Sequence, residues 1–301
     1  MSLPRPFAQI DVFTAQAGFG NPVAVVLDGS GLHDAAMQRF ARWTNLSETT
    51  FVLPPTDPAA DYALRIFTPG GELPFAGHPT LGSCHAWLAA GGRPKAGDRI
   101  VQQCAQGLVE LRRAGQRLAF AAPPSQRSQP APELLAPVRQ ALGLRADQLR
   151  RAQVLDNGPQ WLTLWLDSAD TVLALEPDHA RLADLGHKVG VAGIHPAQGA
   201  PQLISRSSRE ARAFGAAPEA PLIEVRAFAA PIGVSEDPVT GSVNASLAQW
   251  LIEAGELPAR YIAAQGTALG RAGRVHVERD AQGQVWVGGD CVSVIRGEVL
   301  L

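Results

Sequence analysis

Three hundred and one residues suffice for two domains of ordinary size, and with 46% hydrophobic against 18% charged residues the chain can fill sizeable cores. A formal net charge of -2, with arginines scattered rather than striped, excludes the basic footprint of a nucleic-acid binder, and no apolar run is long enough to span a membrane. Three cysteines, Cys84, Cys104 and Cys291, form no CxxC pair and are odd in number, which argues against a disulfide framework or a structural zinc site and fits a reducing compartment.

The first ten residues lack a basic stretch followed by a long apolar run, so a cytoplasmic protein is the expectation. Residues 8–13 and 23–27 read as short strands around the turn Gly18-Phe19-Gly20-Asn21-Pro22. Residues 34–43 carry Met37, Phe40 and Ala41 at helical spacing. Asn45-Leu46-Ser47-Glu48 then leads into a β-branched strand over 49–53, and residues 62–67 alternate as another. From Pro79 to Ala90 almost every residue is small or apolar, and Gly91-Gly92 supplies a stop. A helix apolar on all sides must be buried, so it is placed inside a layer of strands. Residues 100–111 and 118–121 continue the β pattern.

The Pro-, Gln- and Ser-rich stretch 123–132 predicts a boundary, dividing the chain into residues 1–122 and 123–301. A helix is expected over 132–142, strands over 161–166 and 222–228, and a surface helix over 178–185. Glu236-Asp237-Pro238-Val239-Thr240-Gly241-Ser242 opens a second nearly apolar helix that runs to about Ile252. Hairpins close the chain at 274–278, 285–287 and 291–295, with the glycine-rich 266–273 read as a hairpin turn rather than a phosphate loop. His78-Pro79-Thr80-Leu81-Gly82-Ser83 and Asp237-Pro238-Val239-Thr240-Gly241-Ser242 share the pattern x-Pro-x-x-Gly-Ser, one in each half, which suggests an internal duplication.

Two buried helix starts facing each other would offer unpaired N–H groups and two positive dipole ends to a small anion such as a substrate carboxylate. Gly77, Gly82, Gly241 and Ser242 would let backbone approach closely. Glu48, His78 and Asp237 beside those starts are the candidates for moving protons. Each has a plainer reading: Glu48 as a capping or surface residue, His78 as a helix-entry residue, Asp237 as an ordinary N-cap. The other histidines read as structural or exposed, and His78 with His85 lacks a third ligand for a metal. No motif for a nucleotide, dinucleotide, zinc protease or serine hydrolase occurs, so cofactor-free chemistry is expected.

The strings QIDVFTAQAGFGNPVAVV, NLSETTFV, RIFTPGGELPFAGHPTLG, EDPVTGSVNASLAQWL, QGTALGRAGRVHV and VWVGGDCVSV occur in this order. Together they resemble the phenazine-biosynthesis PhzF-like family. That resemblance implies an α+β, diaminopimelate epimerase-like fold, with two pseudo-symmetric halves that each wrap strands around a central helix and a ligand held between them. It implies a glutamate-based isomerase without the epimerases' paired cysteines, active like the namesake enzyme on trans-2,3-dihydro-3-hydroxyanthranilate. By motif, Glu48, His78 and Asp237 are the catalytic set, and Ser47, Gly77, Gly241 and Ser242 bind substrate. It further implies a homodimer and a last strand that returns to the first half. A non-catalytic module binding a small carboxylate or a protein, or an amino-acid epimerase, are the alternatives. Cys84, His85 and Trp87 are bulkier or more polar than an inner helix needs, and either pack or reshape the pocket floor.

Overall fold

The computed structural model describes residues 2–196 and 220–301. In the first half, strands β1 (Pro4–Val12), β2 (Asn21–Val26), β3 (Thr49–Leu53), β4 (Tyr62–Thr68), β6 (Arg99–Cys104), β7 (Gly107–Ala114) and β8 (Arg117–Ala121) pair in that order, with the short β5 (Gly71–Leu73) alongside β4. Helix α1 (Asp34–Thr44) makes the crossover between parallel strands β2 and β3, and helix α2 (Gly77–Ala89) lies between parallel strands β4 and β6. The second half contains β9 (Gln126–Ser128), α3 (Pro132–Ala141), β10 (Leu149–Asp156), β11 (Gln160–Leu166), α4 (Ala169–Leu173), α5 (His179–Asp184), β12 (Val189–Ile194), β13 (Ile223–Phe228), α6 (Gly241–Glu253), β14 (Arg260–Gln265), β15 (Gly273–Arg279), β16 (Val285–Gly289) and β17 (Cys291–Leu300).

From β1 to β8 the pairings run antiparallel, parallel, antiparallel, parallel, antiparallel, antiparallel; from β10 to β16 they run in the same sequence. The long apolar helix occupies the second parallel crossover each time. This repetition of topology is the duplication that the short sequence pattern pointed to. The two sheets join where β8 pairs with β16, and β17 pairs with β1 along its whole length.

Residue type explains the layers. Helix α2 is buried on nearly every side, and a Cβ on Gly82 would fall 2.3 Å from Val23 Cγ1, so the helix can sit this close to β2 only with glycine there. Helix α6 is likewise buried along most of its length. Strand β11 is covered on both faces: Trp161 and Trp165 join the inner core around α6, while Leu162, Leu164 and Leu166 meet the outer helices. Cys84 is buried on α2, Trp87 packs against Tyr62 at 5.0 Å, and His85 contacts Ser293 Oγ at 3.1 Å. These three side chains pack α2 against its strands. Among the described residues no helix is long and apolar enough to cross a membrane.

Two expectations need correction. Asp237 is not an N-cap, because α6 begins four residues later, with Thr240 in the cap position. The x-Pro-x-x-Gly-Ser strings are also out of register in space. Helix α2 already starts at Gly77, so Gly82-Ser83 lie in its second turn, whereas Gly241-Ser242 open α6. The positions that correspond are Gly77 and Gly241, since a Cβ on Gly241 would lie 3.2 Å from Gly77 Cα.

Candidate active site

The starts of α2 and α6 meet head to head. Neither has a side-chain cap, and the residues that approach are glycines: the same hypothetical Gly241 Cβ would be 3.4 Å from the His78 backbone nitrogen. Two buried helix ends thus present uncapped N–H groups and converging positive dipole ends to one small space. Like ends repel, and an anion between them removes both the repulsion and the unmet hydrogen bonding.

Glu48 reaches this space because α1 ends sharply. Asn45 takes the left-handed conformation at the C-cap (φ 54°), its N–H bonding to Ala41 O, and the next three residues deliver Glu48 to the start of β3. Ser47 precedes it, half-exposed. Glu48 Oε2 lies 3.4 Å from His78 Nδ1, with the two side chains 15% and 5% exposed. Burial, helped by the charge of Asp237, raises the Glu48 carboxyl to about 8. Burial also pushes the His78 imidazole down to about 3, against a weaker opposing effect of the Pro22 backbone. At neutral pH the contact therefore joins a protonated carboxyl to a neutral imidazole and is no ion pair. Glu48 Oε2 and His78 Nε2 are both buried without a hydrogen-bond partner. Two unpartnered polar atoms thus lie on adjacent buried side chains, each able to take one more hydrogen bond.

Asp237 stands on the other half. Thr240 Oγ1 donates to its Oδ2 at 2.6 Å and Asn21 Nδ2 to its Oδ1 at 2.9 Å. Burial raises its carboxyl to about 6, while these two hydrogen bonds oppose the rise. Gln265 on β14 ties the local backbone together. Its Nε2 donates to Asp237 O and Thr240 Oγ1, and its Oε1 accepts from Thr240 N and Asn244 Nδ2. Ser242 Oγ accepts from Trp161 Nε1 at 3.1 Å, which leaves its proton available, and Asn157 Nδ2 donates to Ser242 O at 3.0 Å.

Glu48, His78, Gly77 and Gly241 thus come together directly, and Asp237 is near enough to act on the charge of Glu48. Sequence reasoning missed Asn21, Gln265, Trp161 and Asn157. Asn21 lies in a turn string where asparagine needs no further explanation, and its partner is 216 residues away.

The phenazine biosynthesis-like (PhzC-PhzF) family model matches residues 10–297. The chain belongs to this family. The Schizosaccharomyces pombe protein named antisense-enhancing sequence 1 is 35% identical, over 97% of each chain. The trans-2,3-dihydro-3-hydroxyanthranilate isomerase of Pseudomonas fluorescens is 32% identical, over 97% of this chain and 98% of its own. A Bacillus anthracis PhzF-family crystal structure superposes with a TM-score of 0.80 at 21% identity, covering 99% of this chain and 100% of that one. The hydroxyproline epimerase of Agrobacterium vitis superposes with a TM-score of 0.60 at 13% identity, covering 99% and 93%. The fold of this PhzF-like chain is therefore the α+β fold shared with the epimerases. None of its three cysteines lies at a helix opening: Cys84 is two turns into α2, Cys104 is on β6, and Cys291 starts β17.

The raised carboxyl has a consequence for stability that needs no substrate. In the unfolded chain Glu48 ionises at its ordinary value near 4.5, but the folded protein holds the proton up to about 8. Between these values the folded state binds more protons than the unfolded one, so stability falls as pH rises through this window and the full penalty stands above it. Glu48→Gln is expected to match the wild type at pH 4. At pH 9 it should be more stable, by an amount on the order of a few kcal/mol. Thermal unfolding of both proteins at the two pH values is the check, and equal melting temperatures at pH 9 would contradict the burial of an ionisable Glu48.

Proposed function

We propose that this chain is a cofactor-independent isomerase that moves a proton between carbons of a small carboxylate-bearing substrate, with Glu48, His78 and Asp237 as catalytic residues. The substrate carboxylate rests on the N–H groups of Gly77, Gly241 and Ser242, with the Ser242 hydroxyl and Ser47 adding polar contacts. It lies between the halves formed by residues 1–122 and 123–301, so that each half contributes one helix start. The chemistry requires neither a metal nor a cofactor. The family reading also makes the chain a cytoplasmic homodimer.

The observation that carries this reading is a buried carboxyl 3.4 Å from a buried imidazole beside two uncapped helix ends, an environment whose burial raises the carboxyl to about 8. A group that must both give and take a proton works best when its pKa lies near the working pH. At pH 7 Glu48 holds a proton to deliver to one carbon; as carboxylate it then collects one from another. Neutral His78 at 3.4 Å accepts the Glu48 proton in a hydrogen bond once the groups close up, which orients the carboxyl. Asp237, ionised above about 6, keeps the Glu48 proton in place by charge and turns toward the polar part of the substrate. The absence of cysteines from the helix openings supports the isomerase reading over an amino-acid epimerase.

The Pseudomonas relative's name makes trans-2,3-dihydro-3-hydroxyanthranilate the first substrate to offer. The name of the S. pombe relative, at higher identity, specifies no reaction, so a panel of small cyclic and amino acids belongs in the same experiment. Proton NMR of each mixture should show double-bond migration with the wild-type protein on at least one member. Migration that persists unchanged in Glu48→Gln overturns the assignment of Glu48, and binding without any turnover across the panel favours a non-catalytic carboxylate-binding protein.

A further inference from the structure

Arg226, on β13, is a buried cation with all three of its nitrogens hydrogen-bonded. Its side chain is 6% exposed and that of its partner Glu236 is 5% exposed. The guanidinium meets the carboxylate as a fork, Nε to Oε1 at 2.9 Å and Nη2 to Oε2 at 2.8 Å. The remaining nitrogen, Nη1, donates to Val172 O at 3.2 Å and Leu175 O at 2.8 Å, at the end of α4, and the Phe228 ring lies 5.1 Å from the guanidinium carbon. A buried ion pair adds little net stability, because desolvation offsets the attraction. Its place in the chain gives it a role. Glu236 immediately precedes Asp237, and the Asp237 N–H bonds to Ala227 O, on the residue following Arg226. The segment ahead of α6 is thus stitched to β13 at two consecutive positions, by side chain at Glu236 and by backbone at Asp237.

We propose that Arg226 and Glu236 are positioning residues for Asp237, anchoring the segment before α6 and holding one fixed negative charge behind the Asp237 carboxylate. This rests on the reading of Asp237 as a catalytic residue. The groups around that carboxylate are Asn21 from the start of β2, Thr240 from its own segment and Glu48, with neutral His78 beside it, from the first half; Glu236 stands behind, and Gln265 on β14 holds the backbone. Among these, the charge of Glu236 opposes ionisation of Asp237. Its removal lets Asp237 ionise at lower pH. Loss of Arg226 leaves Glu236 buried without its partner, which disfavours the same charge. Lysine at 226 keeps a cation beside Glu236 and so keeps the ion pair.

The test is a carboxyl 13C NMR titration of Asp237, its resonance assigned by loss in Asp237→Asn, in the wild type, Glu236→Gln, Arg226→Gln and Arg226→Lys. The Asp237 midpoint is expected to fall by roughly half a pH unit or more in Glu236→Gln and Arg226→Gln, and to stay with the wild type in Arg226→Lys. An Asp237 midpoint unchanged in Glu236→Gln overturns the proposal, as does an equal fall in Arg226→Lys. Glu236→Gln is nearly isosteric and decides the matter alone if Arg226→Gln does not fold. The readout uses no substrate, so its failure is distinct from failure of the isomerase reading.

Discussion

Glu48→Gln is expected to lose about a thousandfold or more in turnover on any substrate the wild type isomerises, with little change in KM. Glutamine has the size of glutamate and keeps a donor toward His78 Nδ1, but it carries no proton that it can release and recover. The helix starts proposed to hold the carboxylate are untouched by the change, which is why binding should survive. Glu48→Asp should retain a titrating group but withdraw it by one methylene, which costs less than the glutamine but still a large factor, since proton transfer depends steeply on reach. Running the reaction in deuterated water adds a second readout. Wild-type protein should introduce solvent deuterium into the substrate or product at the carbons that exchange protons, and Glu48→Gln should not. Exchange at equal rates in both proteins would remove Glu48 from the chemistry.

The two glycines at the helix openings should respond differently to the same substitution. A Cβ on Gly77 would lie 2.6 Å from Phe120 Cζ. Phe120 is 1% exposed and packs edge-on against Phe75 at 5.6 Å, so its ring moves only by disturbing the core around it. Gly77→Ala is therefore expected to destabilise the fold by about 1–3 kcal/mol through overpacking. The atoms nearest a Cβ on Gly241 are backbone of the opposite helix start, at 3.2 Å, 3.4 Å and 3.5 Å, distances that a small displacement relieves. That displacement moves the two sets of N–H groups apart, and the new methyl group occupies the space between the helix starts. Gly241→Ala is expected to fold with near wild-type stability and to raise KM for a carboxylate substrate about tenfold or more. A melting curve and a saturation curve for each variant separate the two effects. Unchanged KM in Gly241→Ala would mean that the carboxylate is bound elsewhere.

What the sequence disclosed follows from how local each feature is. The strings around His78 and around Asp237 to Ser242 lie within single turns, so their residue types announce both a buried helix and its open end. Glu48 was legible only as part of a string, because its burial comes from a histidine 30 positions along and from the second half of the chain. Asn21 was not legible at all, since nothing near a glycine-rich turn signals a bond to Asp237. Arg226 stood in an apolar strand and Glu236 in a motif, but their pairing depends on β13 and the segment before α6 lying side by side. The duplicated pattern misled in register because proline tolerates different places near a helix start: Pro79 is the third residue of α2, whereas Pro238 lies ahead of α6. Strand β12 was not legible for another reason. β12 is sealed on both faces, one residue being Gly190 against Val243 of α6, and a strand sealed on both faces carries no alternation to read.

The claim on which the rest depends is that Glu48 holds a proton at neutral pH. Carboxyl 13C NMR of glutamate-labelled protein, with the Glu48 resonance identified by its loss in Glu48→Gln, measures this directly across pH. The account predicts a midpoint near 8, with the Glu48 carboxyl protonated at pH 7. A midpoint at the ordinary glutamate value near 4.5 would contradict it, and would leave the paired helix starts without a proton carrier beside them.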